Sequence, residues 1–310
     1  MNRRLLIISA FLALGACKKN EPAVQQATQP PVPSNIIVDS MQTPESVFFD
    51  EQADEYLVSN INGAPTVKDN NGFIARVKPD GHVDSLHWIQ GGRNGVTLNA
   101  PKGTGVRADT FFVADIDELR MFNRVTGAPL GSLRVPGATF LNDVSVAPDG
   151  GVWFTDSGLK PDFSSSGTDA IYHRDPHTGA LHKIAHGTDL GRPNGIMADS
   201  TGAVVVTFGS GEVYRVDMQG HRTAMPKPPH GQLDGVFRMN DGTLVVSSWE
   251  DSSVVGMKTG DTMYMQMVKG VPSPADIAYD HTRNRLLIPI FTGNRIEIRP
   301  IVSPAAAHGQ

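Results

Sequence analysis

The sequence predicts an all-β fold, a six-bladed β-propeller in which four-stranded antiparallel blades surround a central channel. Two observations support this prediction. Short runs rich in β-branched and aromatic residues, bounded by Gly, Asp, Asn or Pro, recur along the chain, as at 203–207 and 243–247, and no window shows a helical period over ten residues. The same succession of strands and turns also returns about every forty residues, which is typical of propeller blades.

Each repeat begins with one residue at the start of its first strand, which we call the ring residue. Ring residues are predicted at positions 45, 102, 142, 194, 234 and 276, so successive repeats are 57, 40, 52, 40 and 42 residues apart. The two long spacings contain the loops 61–72 and 157–169. The Asp-Gly turns at 149–150 and 241–242 follow a ring residue by roughly one strand length, at about 3.3 Å per residue. These turns are therefore expected on the opposite face, with the ring residues gathered around one mouth of the channel.

Residues 1–16 read as a lipoprotein signal peptide, because two arginines precede the apolar run 5–14, which is about half the length needed to cross a bilayer. The sequence Leu-Gly-Ala-Cys that ends at Cys17 resembles a bacterial lipobox, in which Cys17 becomes the lipidated first residue of the mature chain. An ordinary secretory signal with a chance cysteine is the alternative, and either interpretation predicts export. Lys18, in place of Asp, resembles the sorting pattern of outer-membrane lipoproteins in Gram-negative bacteria. We therefore expect a location in the cell envelope, lipid-anchored to the outer membrane and facing the periplasm or the cell surface.

The remaining organisation follows from composition. Residues 17–35 consist of the lipidated cysteine and a segment rich in Pro, Gln, Ala and Lys. This segment has no apolar periodicity, which predicts a disordered tether. The propeller is expected over residues 36–302, followed by a tail at 303–310. The chain contains one cysteine, so structural disulfides and cysteine-ligated metals are excluded. Its net charge is −5 and no basic patch is visible, which argues against a nucleic-acid partner.

Oxygen-bearing side chains occupy five of the six predicted ring positions, namely Glu45, Asn142, Asn194, Asp234 and Asp276. Asn-Gly and Asp-Gly sequences are also strong turn formers, so backbone conformation is the alternative explanation at positions 194 and 234. Glu45 has no turn propensity, which favours a shared site. Glu45 and Asp234 would balance the charge of a divalent cation, and the amides of Asn142 and Asn194 would add neutral oxygen ligands. Such a set suits Ca²⁺ best, while Zn²⁺, Mg²⁺ and Mn²⁺ remain open.

Over residues 43–299 the chain resembles the SMP-30/gluconolactonase family of six-bladed propellers, which is related in fold to paraoxonases and strictosidine synthase. The resemblance rests on four motifs in register, which are Pro-Glu-Ser-Val at Glu45, Leu-Asn-Asp-Val at Asn142, Pro-Asn-Gly-Ile at Asn194 and Leu-Asp-Gly-Val at Asp234. It implies that Glu45, Asn194 and Asp234 bind a divalent metal. It also implies that Asn142 contacts metal or substrate and that Asp234 accepts a proton. By the same resemblance, the expected activity is hydrolysis of a lactone or related ester.

Three further residues are candidates for the site. Arg192 lies two residues before Asn194 and His230 lies four before Asp234, so both are candidate substrate contacts at the mouth. Asp276 is a possible additional acid of the channel, although an Asp at a strand start also bonds neighbouring backbone amides. The arginine and second acidic residue by which sugar-lactone enzymes of the family hold substrate hydroxyls have no match in this chain. The second repeat, moreover, starts without a carboxylate or an amide.

The leading hypothesis is a divalent-metal-dependent lactonase or esterase, with a small-molecule lactone or ester as its partner and a membrane contact through the lipid anchor only. The alternative is a non-catalytic propeller of the cell envelope that binds a ligand or a protein at the same mouth, because propellers carry many unrelated functions. A third interpretation places different chemistry in another blade, as in strictosidine synthase. It leaves the set of Glu45, Asn194 and Asp234 unexplained.

Overall fold

The strands of this computed structural model, which describes residues 34–301, form six four-stranded antiparallel sheets. The helical segments of the described region are two short 3-10 turns, Thr188–Leu190 and Phe291–Gly293. The predicted all-β, six-bladed propeller is confirmed. No helix among residues 34–301 is long and apolar enough to span a membrane. The expected signal peptide, the lipidated Cys17, nearly all of the tether and the tail lie outside the described residues.

Each blade is one sheet, and its strands are numbered in chain order. Strand β1 (Ile36–Val38) belongs to the last blade. Blade 1 contains β2 (Pro44–Asp50), β3 (Glu55–Asn60), β4 (Phe73–Val77) and β5 (Val83–Gln90). Blade 2 contains β6 (Pro101–Arg107), β7 (Thr110–Asp115), β8 (Glu118–Asn123) and β9 (Pro129–Arg134). Blade 3 contains β10 (Leu141–Val146), β11 (Val152–Asp156), β12 (Ala170–Arg174) and β13 (Leu181–His186).

The second half of the ring repeats this order. Blade 4 contains β14 (Pro193–Asp199), β15 (Gly202–Thr207), β16 (Val213–Val216) and β17 (Arg222–Ala224). Blade 5 contains β18 (Leu233–Arg238), β19 (Leu244–Ser248), β20 (Ser253–Met257) and β21 (Met265–Lys269). Blade 6 contains β22 (Ala278–Asp280), β23 (Arg285–Ile290), β24 (Arg295–Pro300) and, as its outermost strand, β1.

The inner strands carry unbroken apolar runs because each blade packs between two neighbours. In β15, Val205 belongs to a core that includes Trp153 of blade 3. Its neighbours Val204 and Val206 belong instead to a core that includes Val246 of blade 5. Successive side chains of a strand point to opposite faces, so one run fills two cores between blades. This arrangement explains the strand sequences that predicted the fold.

The ring is closed by the start of the described chain. Strand β1 pairs antiparallel with β24, with Ile36 opposite Ile298 and Val38 opposite Ile296. Val38 is buried in the same core as Leu287 of β23. The sixth blade therefore combines strands from both ends of the described region, a pairing that the repeat pattern does not reveal.

The first strand of each of blades 1 to 5 contains a β-bulge at its ring residue. The register with the second strand shifts between Pro44 and Ser46, Pro101 and Thr104, Leu141 and Val144, Pro193 and Ile196, and Leu233 and Val236. A bulge leaves an extra residue unpaired and redirects the local side chains. The side chain of the ring residue therefore does not follow the usual alternation between the two faces of its strand.

The sixth blade corrects the predicted register by one residue. Pro274 bridges to the second strand at the position that Pro44 holds in blade 1. Ala275 is therefore the sixth ring residue, and Asp276, which the repeat spacing placed there, lies one residue further along. Asp276 pairs in parallel with Ser46, the residue that follows the first ring residue.

Candidate functional site

Five ring residues line one pocket at a mouth of the channel, which we call the mouth pocket; its volume is about 590 Å³. They are Glu45, Lys102, Asn142, Asn194 and Asp234, one from each of blades 1 to 5, and all are buried. The sixth ring residue, Ala275, supplies only a methyl group. The structure thus brings together the four side chains that the sequence proposed as metal ligands.

Three oxygen atoms of the mouth pocket are buried and have no hydrogen-bond partner within the described part of the chain. They are Oε2 of Glu45, Oδ1 of Asn194 and Oδ1 of Asp234. A buried acceptor without a donor is unfavourable, and an ion is one common explanation for it. Three such oxygens from three blades in one pocket fit a cation that prefers oxygen ligands.

Asn142 has its amide orientation set by its neighbours. Ser157 Oγ donates a hydrogen bond to the carbonyl oxygen of Pro193, at 2.7 Å, so it must accept in its contact with Asn142. The Asn142 Nδ2 group donates this bond at 2.9 Å. The amide nitrogen is therefore turned towards Ser157, and Oδ1 is the atom left to meet a ligand.

Hydroxyl groups on the second strands hold the bulges in place. Thr155 Oγ1 accepts the backbone N–H of Asp143 at 3.1 Å and donates to the carbonyl oxygen of Asn194, in the next blade, at 2.7 Å. Ser247 repeats this pattern between β18 and Ala275, with distances of 2.8 and 2.9 Å. Each hydroxyl ties the bulge of its own blade to the ring residue of the next. The ring positions are therefore fixed by contacts between blades as well as within them.

Two further carboxylates, the buried Asp143 and the half-buried Asp276, follow ring residues and line a depression at the opposite mouth. Burial raises the pKa of Glu45 and of Asp234 well above the ordinary range; repulsion from Asp234 adds to the effect on Glu45, and repulsion from Asp276 adds to that on Asp234. Burial also raises the pKa of Asp276 to about 7, against a 2.5 Å hydrogen bond from Ser46 Oγ. Burial and Asp276 raise the pKa of Asp143 as well. A cation on the pocket floor would offset this repulsion.

Lys102 was placed in the ring by the repeat spacing, but the sequence did not predict a role for its side chain in the site. Its side chain is fully buried, and its Nζ donates to the carbonyl oxygen of Ala100 at 3.0 Å and lies 4.4 Å from the ring centroid of Phe140. Burial lowers the pKa of Lys102 to about 8, against the attraction of Glu45. Pro101 is the sequence feature that could have indicated a site role for Lys102, because a proline also precedes two of the acidic or amide ring residues.

The structure separates the other sequence candidates. Arg192 lines the mouth pocket, and its backbone N–H donates to Oδ2 of Asp169 at 2.8 Å. His230 does not line the pocket; its Nε2 lies 3.7 Å from Oδ2 of Asp251 on the surface. Asp276 lies in the channel but beneath the ring, on the side of the opposite mouth.

A second repeated position forms the wall of the pocket. It is the residue that directly follows the second strand of each blade, and we call these wall residues: Ile61, Ile116, Ser157, Phe208, Trp249 and Phe291. All except Ile116 line the mouth pocket. Phe208 and Trp249 have ring centroids 5.6 Å apart, and Trp249 and Phe291 have centroids 5.1 Å apart. Three neighbouring blades therefore present one continuous aromatic surface above the polar ring.

The ligand set is a mixed one. Among residues 34–301, no group of three or more His, Cys, Asp or Glu side chains has metal-binding geometry. The ring offers two carboxylates, with amide oxygens from Asn142 and Asn194 in place of further acids. A cation bound there would be held by two charges and by neutral oxygens, a combination that Ca²⁺ accepts more readily than Zn²⁺ does.

Solved structures of the same fold include gluconolactonases. A gluconolactonase from Xanthomonas campestris has a TM-score of 0.66 and 19% identity, covering 86% of this chain and 88% of its own. A protein described as a candidate gluconolactonase has a TM-score of 0.64 and 16% identity, covering 88% and 96%. The virginiamycin B lyase of Staphylococcus aureus has a TM-score of 0.55 and 13% identity, covering 87% and 100%. At these identities the likeness concerns the fold alone. No curated protein sequence matches this chain at a significant level.

The sequence itself matches a family model described as the SMP-30/Gluconolactonase/LRE-like region, over residues 70–289. The match contains the ring residues Lys102, Asn142, Asn194 and Asp234, while Glu45 precedes it. The family indicated by the four sequence motifs is thereby confirmed. The chain belongs to the SMP-30/gluconolactonase/LRE-like family.

Proposed function

We propose that the chain is a divalent-metal-dependent hydrolase of a lactone or a related ester. Membership of its family supports a lactonase-type hydrolase in general terms. The observation that carries the finer proposal is the convergence of three buried oxygens without donors, from Glu45, Asn194 and Asp234, in one pocket. A volume of about 590 Å³ is within the range of small-molecule sites.

The proposed cofactor is Ca²⁺, with Zn²⁺, Mg²⁺ and Mn²⁺ as the competing ions. Glu45, Asn194 and Asp234 would hold the cation, with Asn142 beside them. When bound, a divalent ion supplies Lewis-acid polarisation of a carbonyl group. The absence of nitrogen and sulfur from this donor set favours Ca²⁺ over Zn²⁺.

The reaction adds water across the ring C–O bond of a lactone and gives a hydroxy acid. Asp234 accepts the proton of the attacking water and returns it to the alkoxide that leaves when the C–O bond breaks. Lys102 retains two N–H groups beyond its bond to Ala100, and one of them donates to the carbonyl oxygen as negative charge develops there. Asn142, fixed by Ser157, orients the substrate through Oδ1.

Metal-stripped protein, reconstituted with single divalent ions, tests the cofactor and the reaction class together. We expect the preferred ion to raise the unfolding temperature, because a ligand that binds only the native state stabilises it by about 2.7 kcal/mol at one hundred times Kd. The same ion should restore hydrolysis of members of a lactone and aryl-ester panel. If neither stability nor hydrolysis responds to chelator or added ions, the non-catalytic binding propeller becomes the better interpretation.

Glu45→Gln and Asp234→Asn test the ring residues directly. Each should abolish the metal-dependent rise in unfolding temperature and lower kcat by about a hundredfold or more, as expected for loss of a general base or of a metal ligand. Lys102→Met should lower kcat while keeping the thermal response to metal. Asp261→Asn, an exposed acid outside the pocket, is the matched control. Full activity of Asp234→Asn would sink the catalytic proposal.

We also propose that residues 1–16 direct export and that Cys17 carries a lipid anchor to the outer membrane. In the leader, charged residues are followed by an apolar run and then by small residues, and this order supports the proposal. Cys17→Ser should move the protein from the membrane fraction to the soluble periplasmic fraction. A variant that stays with the membrane would contradict the anchor.

A further inference from the structure

The mouth pocket combines a polar floor with apolar walls. Its charged and amide groups are concentrated in the ring residues, whereas the wall residues Phe208, Trp249 and Phe291 form a continuous aromatic surface. The indole of Trp249 also lies close enough to Asp234 to oppose the rise in the pKa of that carboxyl. Trp249 therefore lies beside the polar floor at Asp234 and contributes its ring to the aromatic wall.

The other side of the pocket is apolar as well. Phe140 lies over Lys102, and Leu159 and Phe163 line the pocket from the loop 157–169. Phe163 keeps 52% of its surface exposed and has a φ of 60°. The exposed ring of Phe163 is therefore available to contact an apolar part of a ligand in the pocket.

Few polar groups of the walls are available to a substrate. Ser157 Oγ is used by two hydrogen bonds, Thr292 Oγ1 pairs with a neighbouring hydroxyl, and Asn294 Oδ1 accepts a backbone N–H. Thr43, the Nδ2 group of Asn294 and the charged Arg192 remain at the side of the pocket. A sugar lactone carries several hydroxyl groups, and each one buried without a partner costs about 1–3 kcal/mol.

From these features we propose that the substrate has an apolar body, an alkyl chain or an aromatic ring, attached to the lactone or ester group. The reacting group lies on the floor among the ring residues, and the apolar body lies between the aromatic wall and the loop 157–169. A polyhydroxylated sugar lactone fits this surface poorly. The inference rests on the proposed function for the reaction, but it concerns recognition and has its own test.

The test compares lactones that differ only in their apolar body. Metal-loaded protein is assayed with γ-butyrolactone, γ-octalactone, γ-dodecalactone and δ-gluconolactone. We expect kcat/KM to rise along the alkyl series, by up to roughly fourfold for each methylene group that becomes buried, and to be lowest for δ-gluconolactone. A higher kcat/KM for δ-gluconolactone than for the alkyl lactones would overturn the inference.

Two wall variants locate the effect. Phe208→Ser and Phe291→Ser should lower the ratio of kcat/KM for γ-dodecalactone to that for γ-butyrolactone by about tenfold or more, because each removes a large apolar contact. Phe237→Ser is the matched control, since Phe237 lines the opposite mouth and stacks on Tyr279. An unchanged ratio in both wall variants would contradict the proposed position of the apolar body.

Binding separates a failure of this inference from a failure of the proposed function. Non-hydrolysable lactams that match γ-dodecalactone and δ-gluconolactone are titrated against the metal-loaded protein by calorimetry. Tight binding of the alkyl lactam without hydrolysis of any lactone would refute the hydrolase and support an apolar ligand. Preferential binding of the sugar lactam, or binding of neither, would refute the apolar substrate class.

Discussion

At the scale of single residues, the channel differs from the rest of the molecule in how it buries acids. Asp50, in blade 1, is buried against the guanidinium group of Arg124, whose Nη1 lies 2.8 Å from its carboxylate. Glu45 and Asp234 are just as buried, yet neither makes an ion pair within the described chain. Burying an acid without a partner is unfavourable, so a fold retains such positions for reasons other than stability. The channel mouth is therefore where function is expected.

Asp276→Asn tests this electrostatic picture in metal-free protein. Burial raises the pKa of Asp276 to about 7, whereas Asp in an unfolded chain titrates near about 3.9. The folded protein thus holds a proton that the unfolded chain has released. This contribution to stability is complete below about pH 4 and is lost as pH rises through about 7. Relative to wild type, the variant should gain on the order of a few kcal/mol as pH rises from about 4 to 8.

Chemical denaturation at each pH, with chelator present, measures this difference. Asp199→Asn is a suitable control, because the hydrogen bond from Arg215 lowers the pKa of Asp199 to about 2. Asp199 is ionised in both folded and unfolded protein above about pH 5, so its difference from wild type should stay constant up to pH 8. A constant difference for Asp276→Asn over the same range would refute the raised pKa.

At the scale of elements, the bulged first strand is the unit that builds the site. The bulge brings the residue after the ring position close to the neighbouring blade, where a side chain has little room. A Cβ atom at Gly103 would lie 2.3 Å from Oδ1 and 2.4 Å from Cα of Asp143. At Gly105, in the same strand, the nearest atom to such a Cβ is a methyl carbon of Val146 at 3.2 Å.

Gly103→Ala should therefore destabilise the protein, by about 1–3 kcal/mol as expected for overpacking. Gly105→Ala should change the free energy of unfolding by much less, because side-chain methyl groups can shift. Urea denaturation of both variants measures the contrast. Equal free energies of unfolding for the two variants would show that blades 2 and 3 can move slightly apart at the bulge without loss of stability.

The elements also show how much the sequence can predict. Strand positions, the forty-residue period and the turns at Gly150 and Gly242, both with positive φ, follow from propensity and local turn chemistry. The four oxygen-bearing ring residues of the mouth follow from the repeat. Asp276 was placed one residue out of register because a bulge inserts one residue without changing the strand's composition. The role of Lys102 in the site was not predicted, although its ring position was, because a buried cation in a ring of acids has no local signature.

At the scale of the whole molecule, closure of the ring joins the first and last blades. Strand β1 has only three residues, too few for a periodic pattern, and its partner β24 lies near the other end of the described chain. Their pairing could therefore not be predicted from periodicity. Other contacts between blades 1 and 6 support it. Tyr56 donates its hydroxyl to Oδ2 of Asp280 at 2.7 Å, and the backbone N–H of Thr43 donates to Oδ1 of Asn294, beside the mouth pocket, at 2.8 Å.

Removal of β1 tests the closure. A protein that begins at residue 40 should be less stable than one that begins at residue 34, by on the order of 2 kcal/mol, because burial of Val38 is lost. It should also self-associate, since β24 then exposes an unpaired edge. Denaturation and size-exclusion chromatography measure both effects. If closure holds the mouth together, the shorter protein also loses part of its thermal response to the preferred ion; an equal response in both proteins would mean that the other contacts between blades 1 and 6 suffice to hold the ring.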